Sequence, residues 1–348
     1  MQQERSDGTA GAEHGSRLLE IINSSWQTQV VHVAAELRLA ELLANGPKTA
    51  TQLAEAAGAH APALHRLLRA MSTLDLCREQ ENGAFELTPL GTLLTGDHPQ
   101  SLRCWALWWG QHLWPVWGNL LYSVRTGRSA RALLTGTTGF AHLERDPEAA
   151  AIFNRALVEL TRLACKHIVR AYDFSSLGRV VDVGGGYGEL LAAILHANST
   201  ARGILFDLPH ALEGARAHFQ QAGLTERCEF LSGNFFEEVP AGATAYLLKS
   251  VLHDWDDERC RQILGCCRRA LRPEARLLVI EQVLPQRLDS SPSHQALARS
   301  DLNMLVAHAA GERTQAEFDQ LLHSAGFAIA RIAPAGATWS VIEAVARQ

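Results

Sequence analysis

The second half of the chain is built from short apolar runs that alternate with longer segments of amphipathic, helical spacing. Each apolar run has the length of a buried strand, and most are followed by a segment with helical periodicity. This alternation predicts a doubly wound α/β sheet. The predicted strands are residues 179–183, 203–206, 228–231, 244–248, 276–281, 327–332 and 338–345.

The first hundred residues have a different, mainly helical pattern. Helical spacing runs from Leu18 to about Leu94, with short breaks, and a strand pair is predicted at 76–79 and 84–87. This order resembles a winged helix, which in a DNA-binding protein places a recognition helix at residues 61–74. Residues 17–100 carry six lysines and arginines against nine acids, whereas phosphate binding needs a basic surface. The other interpretation, a dimer interface, is favoured by the apolar run at 30–37.

Length and composition describe an ordinary globular protein. The 348 residues, 47% of them hydrophobic and 20% charged, suggest two domains. We predict a disordered tail at 1–16, a winged-helix domain at 17–100, a helical connector at 101–170 and the sheet domain at 171–348. The net charge of -5 argues against a protein that mainly binds nucleic acid. Seven cysteines without a C-x-x-C pair, and no targeting or membrane-spanning segment, predict a cytoplasmic protein.

The predicted connector is unusually rich in tryptophan. Indole rings at helical spacing either pack in an aromatic core or form the wall of a pocket for a flat apolar ligand. The pattern leaves both possibilities open. Five of the eight tryptophans lie in this segment, namely Trp105, Trp108, Trp109, Trp114 and Trp117.

Four glycines separate the first predicted strand of the sheet domain from the helix after it, namely Gly184, Gly185, Gly186 and Gly188. Glycines at such a turn let a ligand approach the backbone closely. About 20 residues further on, the next strand ends in Asp207, whose carboxylate can accept from both ribose hydroxyls. The dinucleotide fingerprint G-x-G-x-x-G is not met, because counting from Gly184 or Gly186 reaches no third glycine. The loop therefore favours an adenosine compound without a pyrophosphate, such as S-adenosylmethionine, over NAD.

Further motifs follow the glycine loop in a fixed order. After VDVGGGYG at 181–188 come FDLPH at 206–210, GNFF at 233–236, LKSVLHDWDD at 248–257 and GERT at 311–314. In this order they resemble the S-adenosylmethionine-dependent O-methyltransferases of the caffeic acid and hydroxyneurosporene type, over residues 17–346. The resemblance implies a Rossmann-like, seven-stranded catalytic domain that ends in an antiparallel pair. It also implies an N-terminal winged-helix dimerisation domain and a homodimer, without nucleic-acid or membrane partners.

The resemblance implies a binding site for S-adenosylmethionine at the ends of the strands. Asn234 departs from the family pattern, which most often has an aspartate that accepts from the adenine amine. An amide oxygen can still accept this bond, so we expect binding to survive, although Asn234 could instead only cap a turn. The matching residues are Asp182, Gly184, Gly185, Gly186, Asp207, Leu208, Gly233, Asn234, Phe235, Lys249 and Ser250.

Methyl transfer to a hydroxyl needs a proton acceptor, because a phenol with a pKa near 10 is mostly protonated at pH 7. Histidine suits this task, since one ring nitrogen can accept the proton while a carboxylate holds the other. The resemblance implies that His253 is the base and that Glu281 and Glu312 orient it. Asp254 is a second candidate for the orienting acid.

The resemblance also places acceptor contacts on the helix before the GERT motif. Met304 on this helix is equally compatible with the core. No His, Cys or carboxylate spacing typical of a metal site occurs, so no metal is predicted. The residues predicted to contact the acceptor are Trp105, Trp109, Asp254, Asn303, Met304 and His308.

The sequence thus predicts a homodimeric enzyme of secondary metabolism, such as antibiotic biosynthesis. It would move a methyl group from S-adenosylmethionine to a hydroxyl of an aromatic small molecule, leaving S-adenosylhomocysteine. One alternative is a family member that binds the same cofactor but performs hydroxylation, decarboxylation or pericyclic chemistry; the retained His253 argues against it. A more remote alternative is a winged-helix regulator that binds DNA.

Overall fold

A computed structural model of the chain describes residues 2–347, with side chains from residue 13 onward. The chain divides into two compact units, unit 1 (Met1–His112) and unit 2 (Leu113–Gln348). The predicted connector at 101–170 is therefore not a unit of its own. Its first twelve residues belong to unit 1 and the remainder to unit 2.

Unit 1 is mainly helical and carries one small antiparallel sheet. Its strand order is β1-β3-β2, and β2 and β3 are the predicted strand pair. Thr49 begins the helix after β1 through a reciprocal capping box with Gln52, a strong start signal. The elements are α1 (Gln2–Asn23), α2 (Ser25–Glu36), α3 (Leu39–Ala44), β1 (Lys48–Thr49), α4 (Ala50–Ala57), α5 (Ala61–Thr73), β2 (Cys77–Glu79), β3 (Ala84–Leu87) and α6 (Arg103–Trp108).

The start of the chain differs from its prediction. Residues 2–16 lie in α1, where the sequence predicted a disordered tail, and Met1 lies outside the described residues. Every α1 side chain from residue 13 to residue 23 is exposed. Residues 2–16 lack apolar periodicity, so the pattern gives no helical signal there, whereas the helical spacing predicted from Leu18 onward covers the end of α1.

Unit 2 begins with helices and continues with the predicted sheet. The helices are α7 (Trp114–Trp117), α8 (Leu120–Thr126), α9 (Ala130–Thr135), α10 (Ala141–Glu144), α11 (Pro147–Ala171), α12 (Glu189–Ala197), α13 (Pro209–Gln221), α14 (Asp257–Ala270), α15 (Pro292–His308) and α16 (Gln315–Ser324). The strands are β4 (Arg179–Val183), β5 (Arg202–Asp207), β6 (Cys228–Ser232), β7 (Ala245–Lys249), β8 (Arg276–Leu284), β9 (Arg313–Thr314), β10 (Phe327–Ala335) and β11 (Trp339–Ala346).

The main sheet has the strand order β10-β11-β8-β7-β4-β5-β6, and the short β9 pairs with β8. Strands β4 to β8 run parallel, whereas β10 and β11 pair antiparallel, as predicted. The central strands are almost wholly buried because apolar layers cover both faces of the sheet. Parallel strands bring their carboxyl ends to one edge, where ligands bind in such sheets. Among the described residues, no helix combines the length and the apolar character needed to cross a membrane.

Candidate active site

The glycine loop lies between the end of β4 and the start of α12. Gly184, Gly186 and Gly188 have φ values of 68°, 59° and 77°, a region that favours glycine. At Gly185 the constraint is space, since a Cβ there would lie 2.5 Å from Oδ2 of Asp182. The loop therefore passes close to the sheet only because these positions lack side chains.

Asp207 closes the loop from the neighbouring strand. Its Oδ2 accepts from the backbone N–H of Gly186 at 2.7 Å, and its Oδ1 accepts from that of Leu208 at 2.6 Å. Burial raises the pKa of Asp207, although the two backbone hydrogen bonds lower it. The carboxylate is thus fixed in direction before any ligand arrives, and each oxygen keeps a second lone pair.

A cavity of about 310 Å³ opens at this edge of the sheet, within the size range of small-molecule sites. Eight predicted residues line it: Gly184, Gly186, Asp207, Leu208, Gly233, Asn234, Phe235 and Ser250. Asp254, predicted at the acceptor, lines it as well. The cofactor residues that the sequence singled out are therefore brought together, although they come from four strand ends.

Three further predicted cofactor residues lie beside a smaller space of about 30 Å³, namely Asp182, Gly185 and Lys249. Burial raises the pKa of Asp182 to about 7, with a further contribution from Asp207. Burial lowers the pKa of Lys249, whose Nζ donates to Oγ1 of Thr161 at 3.0 Å. These polar side chains lie directly beside the glycine loop.

Asn234 has local partners for both ends of its amide. Its Oδ1 accepts from the backbone N–H of Phe236 at 3.0 Å, and its Nδ2 donates to Oε1 of Glu237 at 2.9 Å. The turn-capping role considered for this residue is therefore present. One lone pair of Oδ1 is left for an adenine amine, so the two roles are compatible.

The walls of the cavity include residues that the sequence gave little reason to select. Phe140 directly precedes α10 and Phe153 lies on α11, and the centres of their rings are 5.7 Å apart. Trp255 packs edge-on against Phe140 at 6.1 Å. Of the three, only Trp255 carried a signal, because it lies within the motif at 248–257.

His253 lies in a short 3₁₀ turn after β7, held against two carboxylates at one ring nitrogen. Its Nδ1 is 3.0 Å from Oε1 of Glu312 and 3.5 Å from Oε2 of Glu281. Because both neighbours are acceptors, Nδ1 carries a proton and Nε2 faces away from them. Asp254 lies on that other side, with Oδ1 3.6 Å from Nε2.

The two carboxylates are themselves fixed. Oε1 of Glu281 accepts from the backbone N–H groups of Val251 and Leu252 at 3.0 and 2.9 Å. Oε1 of Glu312 accepts from Oγ of Ser300 at 2.7 Å. The sequence showed no local cluster here because the acids are distant along the chain. In the structure, one side-chain nitrogen or oxygen atom from each of His253, Glu281 and Glu312 lies within 4.8 Å of the others.

Arg313 holds the loop that carries the base, a role the sequence did not suggest. Its guanidinium donates to the carbonyl oxygens of Leu252 and Trp255 at 2.7 and 2.8 Å. It also donates to Oδ1 of Asp257 at 2.9 Å. Since Arg313 follows Glu312 directly, the GERT motif supplies both an orienting acid and a clamp on the loop.

Charge governs the protonation of this cluster. Burial lowers the pKa of His253, but the carboxylates of Glu281, Glu312 and Asp254 outweigh it and raise that pKa to about 10. Burial raises the pKa of Glu281 to about 7 and that of Asp254 to about 6. Burial also opposes ionisation of Glu312, but His253 and its hydrogen bond leave that pKa lowered. The favoured ion pair is therefore an imidazolium with Glu312.

The other residues predicted at the acceptor have varied surroundings. Met304 is buried, Asn303 accepts from the indole N–H of Trp117 at 3.0 Å, and His308 lies 3.5 Å from Asp254. Trp105 and Trp109 belong to unit 1, where their rings pack edge-on at 6.2 Å. Acceptor contacts for these five residues stay predictions.

Comparison with known families identifies the family to which the chain belongs. Residues 117–328 match the O-methyltransferase domain family, and residues 19–97 match the O-methyltransferase dimerisation domain. The chain belongs to the S-adenosylmethionine-dependent O-methyltransferases. This confirms the family, fold class and enzyme class predicted from the ordered motifs.

Three relatives show how far the likeness to this family extends. The phenazine O-methyltransferase PhzM of Lysobacter antibioticus is 42% identical over 329 residues, covering 94% of this chain and 95% of that protein. The crystal structure of LaPhzM has a TM-score of 0.92 and 41% identity, covering 95% and 99% of the two chains. The O-methyltransferase NcsB1 from neocarzinostatin biosynthesis was solved with S-adenosylmethionine and 2-hydroxy-5-methyl naphthoic acid. It has a TM-score of 0.78 and 36% identity, covering 92% and 96%.

Proposed function

We propose that this O-methyltransferase moves the methyl group of S-adenosylmethionine to a hydroxyl of an aromatic small molecule, with His253 as general base. The observation that carries the proposal is the orientation of the His253 ring. Its Nδ1 is held by Glu312 at 3.0 Å, and its Nε2 lies on the side of the ring away from Glu312. The next residue, Asp254, lines the same cavity as Asp207. Relatives named for a phenazine and solved with a naphthoic acid support an aromatic acceptor.

The residues around the glycine loop fit the proposed methyl donor. Asp207 presents a fixed carboxylate to a ribose, and Gly185 lets the loop beside it lie close against Asp182. Asn234 and Phe235 line the region proposed for the adenine. When bound, S-adenosylmethionine supplies a methyl group activated by the sulfonium.

The proposed role of His253 is to take the hydroxyl proton on Nε2. Glu312 and Glu281 then stabilise the imidazolium through Nδ1–H, as orienting acids do at other general bases. The pKa of His253 is about 10, close to the value of about 10 for a phenol. Proton transfer between the two groups is therefore nearly balanced, and the site can hold an imidazolium beside a phenolate.

We further propose that unit 1 pairs with a second copy of the chain. Four apolar side chains of α1 are more than half exposed, namely Leu18, Leu19, Ile21 and Ile22, and a contiguous apolar surface of this kind marks an interaction site. The match to a dimerisation domain at 19–97 supports the same conclusion. Light scattering should give a dimer mass for the wild type and a lower mass for a Leu19→Glu, Ile22→Glu variant. Binding of duplex DNA in low salt would instead favour the regulator interpretation.

The proposed reaction is tested with S-adenosylmethionine labelled in the methyl group and a panel of hydroxyphenazines, hydroxynaphthoates and polyketide phenols. We expect label on an aromatic oxygen with the wild type. His253→Ala should lower turnover about 100- to 10,000-fold while the Kd for S-adenosylmethionine stays within about two-fold. His196→Ala, at an exposed position on α12, is the matched control and should behave as wild type.

Two results would contradict the proposal. Undiminished turnover by His253→Ala would remove this residue as the base. Tight binding of S-adenosylmethionine without transfer to any acceptor would favour the alternative chemistry that some members of the family perform.

A further inference from the structure

A buried arginine lies beyond Asp254, on the side away from the orienting acids. Arg131, on α9, is 4% exposed, and its Nη1 is 3.4 Å from Nε2 of His308. The same nitrogen of His308 is 3.5 Å from Oδ1 of Asp254. That oxygen is 3.6 Å from Nε2 of His253. Arg131 thus ends a row of buried polar groups that reaches the proposed proton acceptor.

The first contact in this row fixes the tautomer of His308. A guanidinium only donates hydrogen bonds, so Nε2 of His308 must accept and its proton must lie on Nδ1. Burial, and then the charge of Arg131, lower the pKa of His308 well below its usual value. His308 is therefore neutral and adds no positive charge beside Asp254. The positive charge that faces Asp254 from this side is that of Arg131.

Asp254 needs such a charge, because it is the third carboxylate around one imidazole. Burial and Glu312 both favour its protonated form, whereas His253, Arg131 and Lys249 favour the carboxylate, and the resulting pKa is about 6. The titratable and charged groups around Asp254 and the two histidines beside it come from several elements. They are His253, Glu281, Glu312, Lys249 on β7, His142 on α10, His308 on α15 and Arg131 on α9. Burying a guanidinium is costly unless it is paired.

We propose that Arg131 is a positioning residue for the acid–base site: its positive charge, on the far side of His308, keeps Asp254 an ionised carboxylate beside Nε2 of His253. This rests on the proposed function. An ionised Asp254 stabilises the Nε2–H that forms when His253 takes the hydroxyl proton. Since Asp254 lines the cavity and its Oδ1 is 3.6 Å from Nε2, the carboxylate holds the imidazolium until His253 releases this proton to solvent.

The test separates the charge of Arg131 from its hydrogen bond. Arg131→Gln keeps a donor for His308 but removes the charge, whereas Arg131→Lys keeps the charge. Arg261→Gln, at an exposed position on α14, is the matched control. The carboxyl carbon of Asp254 is followed by ¹³C NMR in the full-length protein without acceptor, with the signal assigned by Asp254→Asn.

We expect Arg131→Gln to raise the midpoint of the Asp254 titration by about one pH unit. The charges of Arg131 and Asp254 are at most about 7 Å apart, because each lies within 3.5 Å of one nitrogen of His308. The lower break in the pH profile of kcat/KM should rise with it, so that the variant loses about five-fold near pH 6 and little at pH 8. Arg131→Lys and Arg261→Gln should keep the wild-type midpoint.

An unchanged Asp254 titration in Arg131→Gln would overturn the proposal, as would an equal loss of kcat/KM at every pH. Arg131→Met, which fills the space without a charge, replaces the Gln variant if that variant does not fold. Failure of both to fold would assign Arg131 a purely structural role, which also overturns the proposal. The NMR titration requires no turnover, so a wild type that transfers no methyl group would refute the proposed function and leave this test intact.

Discussion

The cofactor end and the base end of the site lie at the same sheet edge but are held by different interactions. The cofactor end, residues 184–188 with Asp207, is held by backbone hydrogen bonds within a short stretch of chain. The base end, His253 with Glu281 and Glu312, is held by charges from three distant segments. The cofactor end therefore depends on hydrogen bonds to one carboxylate, whereas the base end depends on the ionisation of several groups.

This difference implies that the two ends should fail independently. A change of charge at the base end should alter turnover and its pH dependence while S-adenosylmethionine still binds. A change at the cofactor end should weaken binding while the base keeps its pKa. Substitutions at each end test this separation.

The largest effect is expected at the base end, from Glu312→Gln. The substitution keeps the shape but removes the negative charge 3.0 Å from Nδ1 of His253, so the imidazolium loses its main partner. We expect kcat to fall roughly 100- to 1,000-fold, within the range that general acid–base catalysis contributes. Rapid-quench measurement of labelled product gives kcat, and calorimetry gives the Kd for S-adenosylmethionine, which should stay within about two-fold.

Glu258→Gln, an exposed substitution on α14, controls for loss of one acidic charge and should leave both quantities unchanged. A large rise in the Kd of Glu312→Gln would show that the two ends are coupled after all.

The second effect belongs to the cofactor end. Asp207→Asn keeps the position but replaces the charged acceptor, and hydrogen bonds to a charged group are worth about 1.5–3 kcal/mol. We expect the Kd for S-adenosylmethionine to rise about 10- to 100-fold, with kcat at saturating donor reduced less than three-fold. Asp97→Asn, at an exposed site in unit 1, should bind as wild type. A kcat loss as large as the binding loss would contradict the separation.

The third effect is a rise of kcat/KM with pH, by about ten-fold per pH unit. The carboxylates around His253 raise its pKa to about 10, so the neutral base becomes more abundant as pH rises. For the wild type, kcat/KM with an acceptor of high phenol pKa should increase from pH 7 to 9. In Glu312→Gln the pKa of His253 falls toward its usual 6.5, so the same profile should flatten above pH 8. A flat wild-type profile over this range would refute the high pKa of His253.

The same contrast explains what the sequence could predict. The glycine loop and Asp207 form a local motif, so residues 184–207 indicated both the ligand and its position. The pairing of His253 with Glu281 and Glu312 was available only through resemblance to a family, since no local pattern joins acids so far apart. Arg131 and Phe140 carried no signal, because their roles depend on how the helices of unit 2 pack. The first part of α1, residues 2–16, was not predicted as helix because it lacks apolar periodicity.

The smallest effect is expected at Asn234, where the chain departs from its family. Asn234→Asp would offer the adenine amine a charged acceptor while still accepting from the backbone N–H of Phe236. It would also face Glu237, which now accepts from the Asn234 amide at 2.9 Å, and like charges at that distance repel. The single variant should therefore bind S-adenosylmethionine about as the wild type does. Adding Glu237→Gln removes the repulsion, and the double variant should bind about three- to ten-fold more tightly by calorimetry, with Glu237→Gln alone near wild type. Equal affinities for all three variants would show that residue 234 only caps its turn.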